Sequence, residues 1–276
     1  MERLTNAPFK LGLLGDKRVF KSPSPAMHQA ALRSLGLEGS YIPIEAQSAN
    51  LENLLKELWE KGFAGLNVTA PLKEAVKPYL ASLTNEALAT SAVNTLIYSK
   101  GGYIGSNTDA QGFSDAYLTR GFERSLIIGA GGAARAVCQA FRSKGLSVAL
   151  TCRRSNAGKR LAEEFSFPFV EVEQLPQEPC FDLIVNATSA SSPSELGEFL
   201  PRPGTGANAV VIDINYSRPL NYWKDLAVKA KAHFSDGLPM LAHQARLSFI
   251  LWTGSDPTLE PFLTTLDNWV ATPIDG

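Results

Sequence analysis

Residues 125–154 read SLIIGAGGAARAVCQAFRSKGLSVALTCRR, and this stretch decides the fold of its part of the chain. The apolar run SLII leads directly into glycines at 129, 131 and 132, a helical pattern follows, and a second apolar run, LSVAL, closes the unit. A strand, a glycine turn, a helix and a further strand within about thirty residues predict a βαβ unit.

The turn from Gly129 to Ala134 reads G-x-G-x-x-A, a pattern typical of dinucleotide binding. Gly129 permits the tight turn, Gly131 lets the backbone approach a pyrophosphate, and the small Ala134 lets the helix pack closely on the strand, while helix N-terminal amides face the anion. The alternative is a tight turn with nothing bound. The residues predicted to bind the cofactor here are Gly129, Ala130, Gly131, Gly132 and Ala133.

The choice of cofactor is indicated at the end of the second strand. NAD sites place an acid there, about twenty residues after the turn, whereas this chain has Cys152, Arg153 and Arg154. Guanidinium groups suit the dianionic 2′-phosphate of NADP, because arginine offers planar, bidentate and permanently charged recognition. We therefore predict NADP, bound in part by Arg153 and Arg154; a solvated basic turn is the alternative.

Strand and helix patterns alternate in the rest of the chain as well. The first region predicts strands at 11–14, 41–45 and 65–68, a helix capped by Ser24 with Pro25 in its first turn, helices from Leu51 and Pro71, and a hairpin turning at 100–102. The second region predicts further parallel strands at 182–185 and 209–214, and helices at 240–252 and 259–270 follow it.

These patterns predict the α/β class with two α/β domains. The N-terminal substrate-binding catalytic domain is expected at 1–108 plus 238–276, so that the C-terminal helices return to it. The Rossmann-like NADP-binding domain is expected at 109–237.

Composition favours a small-molecule partner. The 276 residues are 45% hydrophobic and 19% charged with a net charge of −1, which gives no electrostatic footprint for nucleic acid or a membrane surface. Cysteines at 138, 152 and 180 have no CxxC spacing, and no metal site is predicted. With no signal-peptide pattern and no apolar run of roughly 18 to 20 residues, we expect a cytoplasmic protein, a monomer or a homodimer.

Polar residues follow the predicted strands of the first region, in the stretches 21–25, 65–73 and 105–109 and at Asn94 and Thr95. Ligands bind at this edge of α/β sheets, and Ser, Thr and Asn groups suit a substrate with several hydroxyls; helix capping is their structural alternative. Lys73 lies in the first turn of a predicted helix, where the dipole disfavours a cation. It is therefore either solvated or recruited by an acid such as Asp109, and such a pair in a cleft can transfer protons.

Taken in order, the motifs SPSPAMH, GLNVTAPLK, AVNT, GSNTDAQGF, IIGAGGAARA, VNATS and DGLPMLAHQA before FILWTG resemble the shikimate dehydrogenase family along nearly the whole chain. The resemblance implies that NADPH reduces the C3 ketone of 3-dehydroshikimate to shikimate, a step of aromatic amino acid biosynthesis. It implies that Lys73 and Asp109 form the catalytic pair. The substrate residues it implies are Ser22, Ser24, Asn67, Thr69, Asn94, Tyr216 and Gln244, and the further cofactor residues are Thr188, Gly237 and Met240.

Three segments depart from the family's pattern. The family's Asn-Arg-Thr is Cys152-Arg153-Arg154 here, its Gly-Met pair after VNATS is replaced within 190–193, and 217–219 read Ser-Arg-Pro. These changes leave open a quinate or shikimate-like dehydrogenase with a related substrate, including an aminated analogue, or a relaxed choice between NAD and NADP.

Two further classes are less favoured. A silent nucleotide-binding regulator has no need of both Lys73 and Asp109, and another hydroxy-acid or folate-type dehydrogenase would have to account for Ser22, Ser24 and Gln244. The isolated histidines at 28, 233 and 243 are assigned no role.

Overall fold

The computed structural model describes residues 7–178 and 180–271. They form two compact units, one of residues up to Thr108 and from Ala242 onward, the other Asp109–Leu241. The expectations about a leader sequence and about the outer limits of the first domain include residues 1–6 and 272–276, which lie outside the described residues.

Both units consist of a β-sheet with helices. The strands are β1 (Phe9–Gly15), β2 (Gly39–Glu45), β3 (Gly65–Val68), β4 (Ser82–Leu83), β5 (Thr95–Ser99), β6 (Gly102–Ser106), β7 (Ser125–Ile128), β8 (Ala149–Thr151), β9 (Phe181–Asn186), β10 (Thr205–Asp213) and β11 (His233–Ser235). The helices are α1 (Ser24–Ser34), α2 (Leu51–Glu60), α3 (Leu72–Ala75), α4 (Asn85–Thr90), α5 (Asp109–Tyr117), α6 (Gly132–Ser143), α7 (Ser155–Phe165), α8 (Pro193–Leu196), α9 (Tyr222–Ala230), α10 (Leu238–Thr253) and α11 (Glu260–Ala271).

The first unit has a mixed sheet of strand order β2-β1-β3-β5-β6-β4. Strand β1 is parallel to both neighbours, whereas β3–β5 and the predicted β5–β6 hairpin are antiparallel. Helix α2 buries Leu51, Leu55 and Leu58 along one face, as its leucine spacing predicts. Strand β3 lies inside this sheet and is fully buried, and its single polar residue, Asn67, is near its end.

The C-terminal helices return to the first unit, as predicted. The indole of Trp252 on α10 packs on Gly65, where a Cβ would lie 2.1 Å from the ring, and its Nε1 donates to the carbonyl of Leu96 at 2.8 Å. On α11, Phe262 lies in the same core, 5.9 Å from the ring of His28. The sequence places the second domain boundary between 237 and 238, whereas the units divide after Leu241. The predicted boundary coincides with the start of α10, whereas the observed division falls within its first turn, where no change of secondary structure marks it.

The second unit has a parallel sheet of strand order β11-β10-β9-β7-β8. Leu126, Ile127 and Ile128 of β7 have no exposed surface, because helices cover both faces of such a sheet. The chain runs from β7 outward to β8, then returns to β9 on the other side of β7. This reversal is the switch point of a Rossmann-type fold, and ligands bind at the carboxyl ends of the strands beside it.

Candidate active site

A network of buried side chains lies at one edge of the first unit's sheet. Asn67, near the end of β3, is paired with Thr95 at the start of β5, and Thr95 is paired with Ser106 at the end of β6. Because β5 is antiparallel to both neighbours, its start meets their ends at the same edge. The register thereby brings together polar stretches that are well separated in the sequence.

Asn94 is the centre of this network and is 3% exposed. Its Nδ2 donates to Thr108 Oγ1 at 2.9 Å and to Gln244 Oε1 at 3.4 Å. Its Oδ1 accepts from the Thr108 backbone N–H at 2.9 Å and from Thr95 Oγ1 at 2.8 Å. One amide therefore joins the start of β5, the segment after β6 and helix α10, and it brings the predicted residues Asn94 and Gln244 together.

Asn67 is bonded on both sides of its amide. Nδ2 donates to the Asn94 carbonyl and to Ser248 Oγ, both at 3.1 Å, while Oδ1 accepts from Tyr41 Oη at 2.9 Å. Ser248 also lies 2.8 Å from Thr95 Oγ1. Sequence reasoning missed Ser248, although a serine four residues after Gln244 falls on the same face of a helix and could have indicated it.

The two predicted serines of the first unit interact with each other. Ser22 Oγ lies 3.1 Å from Ser24 Oγ and accepts from the Ser24 backbone N–H at 3.2 Å. The expected capping role of Ser24 is wrong: Pro23 is the N-cap and Ser24 is the first helical residue of α1. The backbone N–H of Ser24 is instead bonded by the side chain of Ser22, two residues earlier. Ser24 itself is 7% exposed.

Thr69 follows β3 directly and is half-buried. Its N–H donates to the Leu14 carbonyl at 2.9 Å. Its methyl group lies beside Gly15, where a Cβ would be 2.4 Å from Thr69 Cγ2. A glycine at the end of β1 therefore makes room for this side chain.

The two residues predicted to transfer protons lie at element ends. Lys73 is half-buried on α3, whose four residues form a single turn, so that the dipole argument against a cation there does not apply. Its carbonyl accepts from Val93 N–H at 2.8 Å, which fixes its backbone next to Asn94. Asp109 is the first residue of α5 and is half-buried. Their action as a pair stays a prediction.

His28 belongs to the core beneath the network. Its ring stacks on Tyr41 with centroids 4.4 Å apart and has no exposed surface. Burial lowers the pKa of His28 from 6.5 to about 3, so the ring is neutral at physiological pH. Tyr41 in turn donates to Asn67, and His28 thus supports the network through ring packing.

The second unit contains an open cleft of about 480 Å³ at the carboxyl ends of its central strands. Gly129 follows β7 with φ +129°, and a Cβ there would lie 2.8 Å from the Ala187 carbonyl oxygen, so that only glycine fits. A Cβ at Gly131 or Gly132 would meet nothing within 4 Å, which leaves the N-terminus of α6 open. The predicted cofactor residues that line this cleft are Gly129, Ala130, Gly131, Gly132, Ala133, Arg153, Arg154 and Thr188.

Arg153 and Arg154 are exposed at the end of β8. The neighbouring Cys152 lines the same cleft, and its Sγ donates to the Arg154 carbonyl at 3.1 Å. Burial raises the pKa of the Cys152 thiol, which keeps it protonated and unreactive. The charge at this end of the cleft is therefore contributed by the guanidinium groups.

Gly237 and Met240, also predicted to bind the cofactor, are not among the residues that line the cleft. The Gly237 N–H donates to the Asn215 carbonyl at 3.1 Å, and a Cβ at Gly237 would lie 2.0 Å from the Ile214 oxygen. Met240 packs against the core of the second unit. Both residues therefore have a packing role beside the loop that follows β10.

Two of the segments that depart from the family's pattern, 190–193 and 217–219, are linked through Glu195 in this unit. The Arg218 guanidinium donates to the Ser189 carbonyl at 3.2 Å and lies 3.3 Å from the Glu195 carboxylate. Glu195 accepts from the Ser191 and Ser192 backbone N–H groups at 2.8 and 3.0 Å, and these bonds lower its pKa. The altered residues thus form a local set of bonds at the rim of the cleft.

Tyr216 belongs to the second unit, whereas the other six predicted substrate residues belong to the first. It is half-buried, and burial raises its pKa. Within residues 7–178 and 180–271, no group of three or more His, Cys, Asp or Glu side chains could hold a metal ion. No helix in these ranges is both long and apolar enough to span a membrane.

Residues 14–96 match the family described as the shikimate dehydrogenase substrate binding domain. A shikimate dehydrogenase (NADP(+)) of Thermus thermophilus is 40% identical over 245 residues, which cover 87% of this chain and 90% of that protein. The chain belongs to the shikimate dehydrogenase family. The enzyme of the same name from Caldanaerobacter subterraneus is 34% identical over 88% of this chain and 91% of its own length.

Solved structures of the family have the same fold. The Thermus thermophilus shikimate 5-dehydrogenase in complex with NADP(H) and shikimate has a TM-score of 0.84 and 36% identity, covering 95% of this chain and 99% of that chain. The quinate dehydrogenase of Corynebacterium glutamicum in complex with NAD has a TM-score of 0.82 and 26% identity, covering 95% of this chain and 100% of that chain. The fold is therefore shared by proteins that are named for different substrates and bind different cofactors.

Proposed function

We propose that this chain is an NADP-dependent shikimate dehydrogenase, which transfers hydride reversibly between NADPH and the C3 ketone of 3-dehydroshikimate to give shikimate. One observation carries the proposal: in this chain, a member of the family, the Gly129 turn and two arginines line the same cleft. An acid at the end of β8 would favour NAD, and Arg153 and Arg154 stand there instead.

The residues of the cleft fit NADP. The open N-terminus of α6 offers backbone N–H groups to a pyrophosphate, and the glycines at 131 and 132 leave space for its close approach. Arg153 and Arg154 would hold the 2′-phosphate through charge-assisted hydrogen bonds. Thr188 lines the cleft beyond the glycine turn and is proposed to contact the other half of the cofactor, with Gly237 and Met240 behind it.

Bound NADPH supplies the hydride that reduces the C3 carbon. The protein's task is to stabilise and protonate the oxygen on which negative charge develops. We assign the proton donor to Lys73, whose backbone is fixed beside Asn94 by the bond from Val93. Asp109 would orient Lys73 and exchange protons with it. Because the two groups are coupled, the pH dependence of turnover belongs to the pair.

Substrate binding is assigned to the first unit's network. Hydroxyl and amide groups that are already held by neighbours bind a polyhydroxylated acid without a large loss of side-chain entropy. Ser22 and Ser24 are proposed on the carboxylate side. The residues proposed to contact the substrate carboxylate or hydroxyls are Asn67, Thr69, Asn94, Gln244 and, from the second unit, Tyr216.

The proposal extends to cellular context. Shikimate is a free small molecule of aromatic amino acid biosynthesis, and we assign the enzyme to that pathway in the cytoplasm, as a monomer or a homodimer. The free thiols of Cys138, Cys152 and Cys180 suit a reducing compartment.

The proposal is tested by absorbance at 340 nm with the purified protein, offering shikimate and quinate, each with NADP and with NAD. Rapid reduction of NADP with shikimate alone is expected. Preference for quinate or NAD would instead assign the chain to the quinate type, and no turnover in any combination would overturn the assignment as a dehydrogenase of this class.

A further inference from the structure

A buried carboxylate outside the proposed catalytic pair lies next to the cofactor cleft. Asp213 is the last residue of β10 and has no exposed surface. Its Oδ1 accepts from Asn186 Nδ2 at 2.8 Å and from the backbone N–H and Nδ2 of Asn215 at 3.1 and 2.8 Å. Its Oδ2 accepts from Asn221 Nδ2 at 2.8 Å. All these donors are neutral amides, and a buried charge persists only when it is bonded in this way.

The first asparagine fixes the loop after β9. Asn186 Oδ1 accepts from the backbone N–H and the Oγ1 of Thr188 at 3.2 and 2.7 Å, and its Nδ2 also donates to the Ala190 carbonyl at 2.9 Å. Thr188 and Ala190 line the cleft. Asp213 thus reaches one wall of the cleft through Asn186.

The second asparagine fixes the loop after β10. Asn215 Nδ2 donates to the Thr188 carbonyl at 2.8 Å as well as to Asp213, and its own carbonyl accepts from Gly237 N–H at 3.1 Å. Asn215 itself lines the cleft. The third asparagine, Asn221, turns its Oδ1 to the N-terminus of α9, where it accepts from Trp223 and Lys224 at 3.0 and 3.1 Å.

We propose that Asp213 is a positioning residue for the nicotinamide half of the cofactor. A carboxylate only accepts hydrogen bonds, so Asp213 holds the Nδ2 group of all three asparagines toward itself and thereby fixes how each amide meets its loop. The sheet order β10-β9-β7-β8 places the Thr188 and Asn215 loops on one side of the glycine turn and Arg153 with Arg154 on the other. Asp213 therefore shapes the half of the cleft that the arginines do not reach.

The inference rests on the proposed function for the identity of the cofactor. Comparing the binding of two ligands distinguishes effects on the two halves of the cleft. NADPH occupies both halves, whereas adenosine 2′,5′-bisphosphate has no nicotinamide. Replacement Asp213→Asn turns one acceptor oxygen into an amide donor that faces asparagine donors. Those donors then lose their acceptor, and the Thr188 and Asn215 loops lose the bonds that position them at the cleft.

We measure dissociation constants of both ligands by fluorescence or calorimetry, together with thermal melting. In Asp213→Asn the dissociation constant of NADPH is expected to rise about tenfold or more, and that of the bisphosphate to change less than about twofold. The KM for NADP should rise while that for shikimate stays within about twofold.

Asp182→Asn is the matched control. Asp182 is a carboxylate of the same unit that accepts from the Glu123 and Arg124 N–H groups at 2.7 and 3.1 Å, but it lies at the start of β9, the opposite edge of the sheet. Its substitution should lower the melting temperature without altering NADPH affinity. Equal losses for both ligands in Asp213→Asn, or unchanged NADPH affinity, would overturn the inference.

A milder variant covers the case in which Asp213→Asn does not fold. Asn215→Ala, at a half-buried position, removes one of the links from Asp213 to Thr188 and should weaken NADPH several-fold while sparing the bisphosphate; equal effects on both ligands again contradict the inference. All these readouts are binding constants. A wild-type protein that binds NADPH but fails to oxidise shikimate would therefore refute the proposed function alone.

Discussion

In the first unit the candidate site consists of buried side chains bonded to each other, whereas in the second it is an open cleft of backbone amides and exposed guanidinium groups. Asn94 and Asn67 are 3% and 6% exposed, and each has partners on both sides of its amide. Arg153 and Arg154, in contrast, are exposed, and the turn beside them contributes backbone N–H groups that do not depend on a particular side chain.

This contrast explains where the sequence departs from its family's pattern. A buried network is costly to change, since a missing partner leaves another polar group unsatisfied. Backbone donors do not carry that cost when a side chain changes. The altered segments at Cys152, 190–193 and 217–219 all belong to the second unit. Four variants, one of them a double replacement, test the roles assigned to these two regions and to the catalytic lysine.

The largest effect is expected from Lys73→Ala, which belongs to neither the network nor the cleft. Loss of a general acid lowers turnover by about 10²- to 10⁴-fold, while the affinity for NADPH should stay unchanged. Steady-state kinetics at 340 nm measures turnover, and fluorescence titration measures the affinity.

Lys77→Ala is its control, because Lys77 lies one turn further on and donates to the Ser91 carbonyl at 2.9 Å. Its turnover should match the wild type. If Lys73→Ala retains turnover within about tenfold, Lys73 is not the proton donor.

Asn94→Ala tests the buried network. It leaves the buried Thr108 N–H without its acceptor, at a cost of about 1–3 kcal/mol, and disorders the groups around the substrate. We expect kcat/KM for shikimate to fall about 100-fold and the dissociation constant of NADPH to stay within about twofold. Asn50→Ala is the control, since Asn50 is exposed and its side chain caps no helix. Equal losses for substrate and cofactor would remove the distinction between the two regions.

Replacing both Arg153 and Arg154 by alanine tests the cleft. Loss of charge-assisted bonds to the 2′-phosphate should raise the KM for NADP about 30-fold and leave that for NAD unchanged. Higher salt should reduce the difference. The exposed Arg160→Ala on α7 controls for the loss of a positive charge elsewhere in the same unit. A parallel rise for NAD would show that the arginines do not read the 2′-phosphate.

The smallest effect concerns His28, beneath the network. Its pKa is lowered to about 3 in the folded chain, so between this pH and about 6.5 the unfolded chain binds more protons. Stability therefore falls as pH drops below about 6.5, by about 1.4 kcal/mol per pH unit. Urea unfolding at pH 7, 6 and 5 should show that the free energy of unfolding depends less on pH in His28→Phe than in the wild type. The control His233→Gln, at an exposed position, should have the same pH dependence as the wild type. Parallel curves for His28→Phe and wild type would contradict this assignment.

Local signals made much of the fold predictable. The glycine turn, the βαβ unit and the hairpin were confirmed, because each depends on residues close in sequence. Strands β4 and β11 were not predicted, since two and three residues are too short to show a period. The predicted capping role of Ser24 was wrong, because the Oγ of Ser22 accepts from the first helical N–H, which is that of Ser24 itself.

The site was predictable where a residue has its partner nearby and less so where partners come from distant strands. The residues of the glycine turn and the two arginines were placed in one cleft by the sequence alone. The part played by Thr108 and Ser248 depends on the β3–β5 register and on the return of α10. In the same way, Asp213 collects asparagines at 186, 215 and 221 only because β9 and β10 are neighbours.

The packing of Trp252 on Gly65 has a consequence for the order in which the chain folds during synthesis. The first unit contains the earliest part of the chain, yet its core includes side chains of α10 and α11. The second unit is one continuous segment, Asp109–Leu241, and all its strands emerge from the ribosome before Trp252 does. Since domains fold as units, we expect the second unit to be complete while the first still awaits its final helices.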